Sequence, residues 1–144
     1  MIFLTSYSNQ EKQKIIFEAY ANPKHKLQTL NTKNFIFEKS NICVDNLKLN
    51  LIWEKEVLKN AEYSLEGCAV FSASVELVIE LIVGKNKQEI NEIIDIYEEM
   101  INGKEINNKS RERLEKLIVF EKVKTHLNRL ECASIIIRAI RKGL

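Results

Sequence analysis

The sequence predicts a single α+β domain over residues 1–144, a three-stranded antiparallel sheet with several helices packed on it. Three observations predict it. Period-two alternation is confined to the first half, around Leu47, Leu49 and Leu51. Helical spacing of apolar residues dominates from Cys68 onward. No repeat, linker or low-complexity stretch divides the chain.

The elements follow in order. Ile15, Ile16, Ala19 and Tyr20 recur at helical spacing over Gln10–Tyr20. Asn9 is the expected cap, and Asn22-Pro23 ends the helix because the residue before a proline disfavours helical dihedrals. Phe35-Ile36-Phe37 is a short β-prone run. Leu47, Leu49 and Leu51 alternate with Lys48, Asn50 and Ile52, as in a half-buried strand, and Ala61–Leu65 reads as a third strand. Strands this close in sequence form a meander. Beyond Cys68, the residues Ala73, Leu77, Val78, Leu81 and Ile82 share one helical face that closes at Gly84. Ile90, Ile93, Ile94, Tyr97 and Ile101 define a second amphipathic helix ending at Gly103. Residues 102–111 read as a polar loop. Helix is expected again over about Glu112–Lys124 and Cys132–Arg141.

Bulk composition narrows the function classes. Hydrophobic residues make up 45% and charged residues 29%, ordinary for a globular domain. With 22 basic and 20 acidic residues the net charge is +2, which makes no electrostatic case for nucleic acid or an anionic membrane as partner. No run of about 18 apolar residues predicts a membrane span. The N-terminal MIFLTSYSNQEKQK lacks a basic region before its short apolar start and does not read as a secretory signal. The expected compartment is the cytoplasm, where the three cysteines stay reduced, and an odd count fits a disulfide framework poorly.

Those cysteines are Cys43, Cys68 and Cys132. If NICVDNLK enters a strand, Cys43 and Asp45 point to the same side. Cys68 opens a helix, where free N–H groups and the dipole favour a thiolate. Cys132 reads as another helix start, after Arg129. Three thiolates and one carboxylate suit a tetrahedral zinc shell, and the same donors suit an iron–sulfur cluster. Against this, lone cysteines commonly serve as packing residues, and no CxxC pair marks a metal site. The spacing leaves both readings open. His25, in PKHK, and His126, in KTHLNR, read as solvated surface residues. Arg138, Arg141 and Lys142 read as a solvated helix face. No phosphate-binding glycine loop, GxSxG or HExxH occurs.

GCAVFSAS followed by Gly84-Lys85 resembles the GC-x-I-S-x-A-S…GK signature of the U-type iron–sulfur cluster assembly family (SufU, IscU and the N-terminal part of NifU). AYANPKHK looks like that family's HY-x-NP-x-N-x-G segment. SNICVD sits where the family has NP-x-CGD, and RLECAS resembles its R-x-x-CA segment. The pieces run in order over roughly Gln13 to Gly143. Glu131 before the last Cys, Arg129 further back, and extra chain between Gly84 and Cys132 resemble the SufU branch.

The resemblance implies the same three-stranded α+β fold, with a zinc held by Cys43, Asp45, Cys68 and Cys132. It implies a zinc-dependent sulfurtransferase that accepts persulfide sulfur on Cys43 from a cysteine desulfurase of the SufS type. Arg129 would stabilise the negative charge of the thiolate site. The alternative from the same family is a scaffold that assembles a [2Fe–2S] cluster and transfers it to apo-proteins. A third reading is a binding protein whose cysteines merely pack. Two departures from the pattern stand out: Val44 replaces the family Gly, and Asn41-Ile42 stand in place of the proline before the first Cys.

Overall fold

The computed structural model describes residues 6–144. The apolar start Met1–Leu4, read above for a secretory signal, lies outside the described residues. Helix α1 spans Asn9–Ala21. Ser8, not Asn9, caps it. The Ser8 side chain accepts the Glu11 N–H, and Glu11 Oε1 accepts the Ser8 N–H at 2.9 Å. This reciprocal box satisfies two free donors of the first turn, which a cap at Asn9 would leave open.

Strands β1 (Ile36–Lys39), β2 (Asn46–Glu54) and β3 (Val57–Glu66) form the predicted antiparallel sheet in the order β1-β2-β3. The register pairs Leu47 with Leu65, Leu49 with Tyr63 and Leu51 with Ala61. Leu47, Leu49, Ala61 and Tyr63 are buried against the helices, while Lys48 and Asn60 stay exposed on the other face. Each buried leucine contributes about 2 kcal/mol by leaving water. β3 starts four residues before the expected Ala61, because Lys55 and Glu56 turn the chain with φ of 51° and 71°. That left-handed pair suits a tight hairpin, but neither residue is the glycine or asparagine that normally announces one.

Helix α2 (Ala69–Ile82) is the centre of the molecule. Every residue from Phe71 to Ile79 is buried, so the helix is enclosed on all sides and not on one apolar face alone, with Ser72, Ser74 and Glu76 among the buried residues. It packs against α1 on one side and α5 on another. Helix α3 (Lys87–Ile101) buries Ile90, Ile93, Ile94, Tyr97 and Ile101, as the periodicity predicts.

The C-terminal third departs from expectation. Helix α4 (Asn108–Leu114) begins inside the stretch read as a loop, with the Asn107 side chain accepting the Ser110 N–H at 2.8 Å. The chain then breaks at Glu115, whose φ is 49°, and continues as two 3₁₀ turns, Glu115–Phe120 and Val123–Thr125, in place of a continuous helix. Helix α5 (Leu127–Lys142) starts five residues before Cys132. Its first turn is exposed, Leu127 included, and Leu127 and Leu130 stand among polar residues, so the helical spacing there is faint beside the dense apolar run after Cys132.

Candidate functional site

The turn between β3 and α2 builds the site. Glu66 ends the strand, Gly67 turns the chain, and Cys68 is the N-cap of α2, with its Sγ accepting the Phe71 N–H at 3.5 Å. Gly67 cannot carry a side chain without disturbance. A Cβ there would lie 2.5 Å from Phe71 Cδ2 and 2.6 Å from Asp45 Oδ1. Asp45 stands just before β2 and is buried against that glycine.

Cys132 arrives from α5. Contrary to expectation it is not at the helix start but in the second turn, and it is buried. Its backbone is held from two sides. Ser74 Oγ donates to the Cys132 carbonyl at 3.4 Å and to Phe71 O at 2.7 Å, and Tyr97 Oη donates to the Ala133 carbonyl at 3.1 Å. The Cys68 and Cys132 Sγ atoms lie 3.4 Å apart, and Cys132 Sγ donates to Asp45 Oδ2 at 3.4 Å. One ligand atom from each of Asp45, Cys68 and Cys132 lies within 4.8 Å of the others.

This donor set fits a soft or borderline cation such as zinc: two thiols and a carboxylate, drawn from three separate elements onto one point. Burial pushes the Cys132 thiol up, and the neighbouring Cys68 and Asp45 push it further. A neutral Cys132 thiol is therefore favoured in the cluster alone, and a bound cation would favour its thiolate.

Cys43 is not part of that group. It sits in the loop between β1 and β2, exposed, and β2 begins only at Asn46, so Cys43 and Asp45 do not share the side of a strand. Ile42 and Val44 flank it, exposed at 58% and 89%. Val44 has no positive φ, so the backbone at this position does not require the family's glycine. Arg129 is exposed on the first turn of α5 and lines a cleft with Val70, Phe120 and His126.

His25 is not the solvated residue expected. Its Nδ1 lies 2.8 Å from Glu76 Oε2, and its backbone N–H donates to Glu76 Oε1 at 3.2 Å. Tyr63 Oη donates to the same Oε1 at 2.9 Å. Burial alone would push the Glu76 carboxyl up, but the bonds from His25 and Tyr63 outweigh it and hold the carboxyl below its ordinary value. Arg138, Arg141 and Lys142 are likewise paired, not merely solvated, Lys142 with Glu38 at 2.7 Å. Arg138 meets Glu131 and Glu38, and Arg141 meets Asp95 and Glu98. Gly67 and Glu131 enter the sequence reading only as parts of the family resemblance, and their roles in the site's geometry are not legible there. A glycine directly before a candidate ligand cysteine is the one available signal.

A three-stranded meander that gathers two thiols and a carboxylate where sheet meets helix defines a small α+β thiol-site protein. Residues 10–142 match the family model of the NifU-like N terminal domain, and the chain belongs to that family of iron–sulfur cluster assembly proteins. It is 24% identical over 132 residues to the zinc-dependent sulfurtransferase SufU of Bacillus subtilis (strain 168), covering 92% of this chain and 88% of the relative. It is 29% identical over 126 residues to the iron–sulfur cluster assembly scaffold protein IscU of Thermotoga maritima, covering 87% of each. A crystal structure of a Fervidobacterium islandicum AW-1 protein, named for iron–sulfur cluster assembly scaffolding in the SUF system, superposes with a TM-score of 0.79 at 26% identity, covering 94% of each chain.

Proposed function

We propose that this protein is a zinc-dependent sulfurtransferase of iron–sulfur cluster assembly, working in the cytoplasm and taking sulfur from a cysteine desulfurase. The observation that carries the reading is the division of the thiols: Cys68 and Cys132 converge with Asp45, while Cys43 stands exposed outside them. Asp45, Cys68 and Cys132 hold the zinc, and Cys43 completes the set by its place in the CGD-like motif. Bound zinc supplies positive charge that keeps thiols deprotonated at neutral pH.

In the transfer, the Cys43 thiolate attacks the outer sulfur of the desulfurase persulfide. A sulfur–sulfur bond forms on Cys43 as the one on the desulfurase breaks. The desulfurase cysteine leaves as a thiolate, so no net oxidation occurs. Arg129 offers a cation beside the entry to α2 for the negative charge of the incoming persulfide.

The test is stimulation of a cognate desulfurase by the zinc-loaded chain. Cys43→Ala is expected to abolish it, and unchanged stimulation would refute the relay. The scaffold reading is favoured by the similarity to the Thermotoga IscU. Anaerobic reconstitution with iron and sulfide separates the two: a stable visible chromophore that then passes to an apo-protein would favour the scaffold.

A further inference from the structure

The loop carrying Cys43 is held from two directions. At its base, Ser40 N–H donates to the Asp45 carbonyl at 2.9 Å, and Ser40 Oγ accepts the N–H groups of Ile42 and Cys43, each at 3.1 Å. From the side, Glu131 Oε1 accepts the Asn41 N–H at 3.0 Å. That same oxygen accepts from Arg138 Nη2 at 2.7 Å. Arg138 continues to Glu38 Oε1 at 3.3 Å and to the Lys39 carbonyl at 3.2 Å, so the end of β1 is bound to α5 by one chain of bonds. Glu131 is next to Cys132. One residue of this helical turn reaches into the site, and its neighbour holds the loop that bears the third thiol.

The bond needs an N–H at position 41. A proline, which the family pattern has in this motif, offers none. Asn41 supplies the donor here, and Glu131 supplies a charged acceptor opposite it. With the tether made, the Cys43 thiol lies outside the Asp45–Cys68–Cys132 group and faces solvent.

We infer that Glu131 is a positioning residue that holds the Cys43 loop outward, with the thiol presented to a partner and withheld from the metal-binding group. The inference rests on the sulfurtransferase reading for its purpose. In the zinc-loaded chain, Cys43 then divides its time between the metal and the tethered loop. Losing a hydrogen bond to a charged acceptor shifts such a balance about tenfold toward the metal.

The experiment is the rate of Cys43 alkylation by iodoacetamide in the zinc-loaded full-length protein, followed by peptide mass mapping. Glu131→Ala is expected to slow it about tenfold. Asn41→Pro removes the donor from the other side and is expected to do the same. Glu131→Gln keeps an acceptor oxygen and is expected to stay near the parent rate. Unchanged or faster alkylation in both Glu131→Ala and Asn41→Pro overturns the inference, and either variant suffices should the other fail to fold. A chain that takes up no zinc defeats the sulfurtransferase reading separately. The tether is then judged on the metal-free protein, where Glu131→Ala must speed hydrogen exchange of the Asn41 amide, and equal exchange overturns it.

Discussion

Midway along α2 the Glu76 carboxylate collects His25 and Tyr63, and at the N-terminal end of the same helix Cys68 meets Cys132 and Asp45. Both clusters join elements distant in sequence, and the second leaves Cys68 exposed beside the buried Asp45 and Cys132. The first is complete in itself. One acceptor group receives the His25 backbone N–H, the Tyr63 hydroxyl and the imidazole, and the net effect favours the charged carboxylate. The second places three acceptor-rich groups together, and their mutual effect with burial opposes ionisation of Cys132. A cluster that satisfies its own charges supports the fold; the second, on the function proposed above, is the one that would take a cation.

The sharpest way to break this comparison is to supply the cation. Zinc at a thousand times its dissociation constant is expected to stabilise the chain by about 4 kcal/mol. A chelator should remove that gain, and Cys132→Ser should abolish it. A urea midpoint indifferent to zinc would place the two clusters in one structural class.

Next in size is Glu76→Ala, expected to cost about 3 kcal/mol, because Tyr63 Oη is left buried without its acceptor. Zinc stoichiometry should not change. A loss below about 1 kcal/mol would mean that water replaces the carboxylate.

The two clusters are unequally legible in the sequence. Period-two leucines mark β2, and apolar spacing marks α3, because those signals are local. The Lys55-Glu56 hairpin and the break at Glu115 use left-handed dihedrals at residues with no such preference, so no local pattern shows them. His25 finds its partner 51 positions away, and flanking lysines make it look solvated. Asp45 and Cys132 are 87 positions apart. Their association with Cys68 follows from the resemblance to the U-type family, not from spacing. The same resemblance groups Cys43 with them, whereas the Asn41–Glu131 bond, specific to this chain's residues, accompanies an outward loop.

Gly67 and Gly84 sharpen the contrast further. Gly67→Ala forces a methyl into Asp45 and Phe71 and is expected to cost about 2 kcal/mol and to weaken zinc binding about tenfold. Gly84 has φ +92°, but a methyl placed there would meet no atom within 4 Å, so Gly84→Ala is expected to cost about 1 kcal/mol in backbone strain alone. Calorimetric zinc titration should leave the second variant at parent affinity. Equal weakening in both would remove Gly67 from the site.

The smallest effect concerns Glu80, one helical turn beyond Glu76. Burial pushes its carboxyl up, the bond and charge of Glu76 push it further, and Lys116 and Lys24 pull it down only in part. The signs of the two carboxyls are opposite. Glu76, held below the ordinary value of about 4.3, adds stability above that value, and the gain is lost as pH falls through its folded-state value. Glu80, held above it, adds stability in acid, and that gain is lost as pH rises through its raised value, leaving a cost at neutrality. Glu80→Gln keeps a hydrogen-bond donor toward Glu76 and cannot ionise. It is expected to raise stability near neutral pH by up to about 1 kcal/mol, limited by solvent screening at this half-exposed position, with little change near pH 4. Glu76→Gln should instead flatten the acid limb of the thermal stability curve. If Glu80→Gln helped equally at both pH values, its effect would lie in packing, and the self-contained cluster would not extend a turn beyond Glu76.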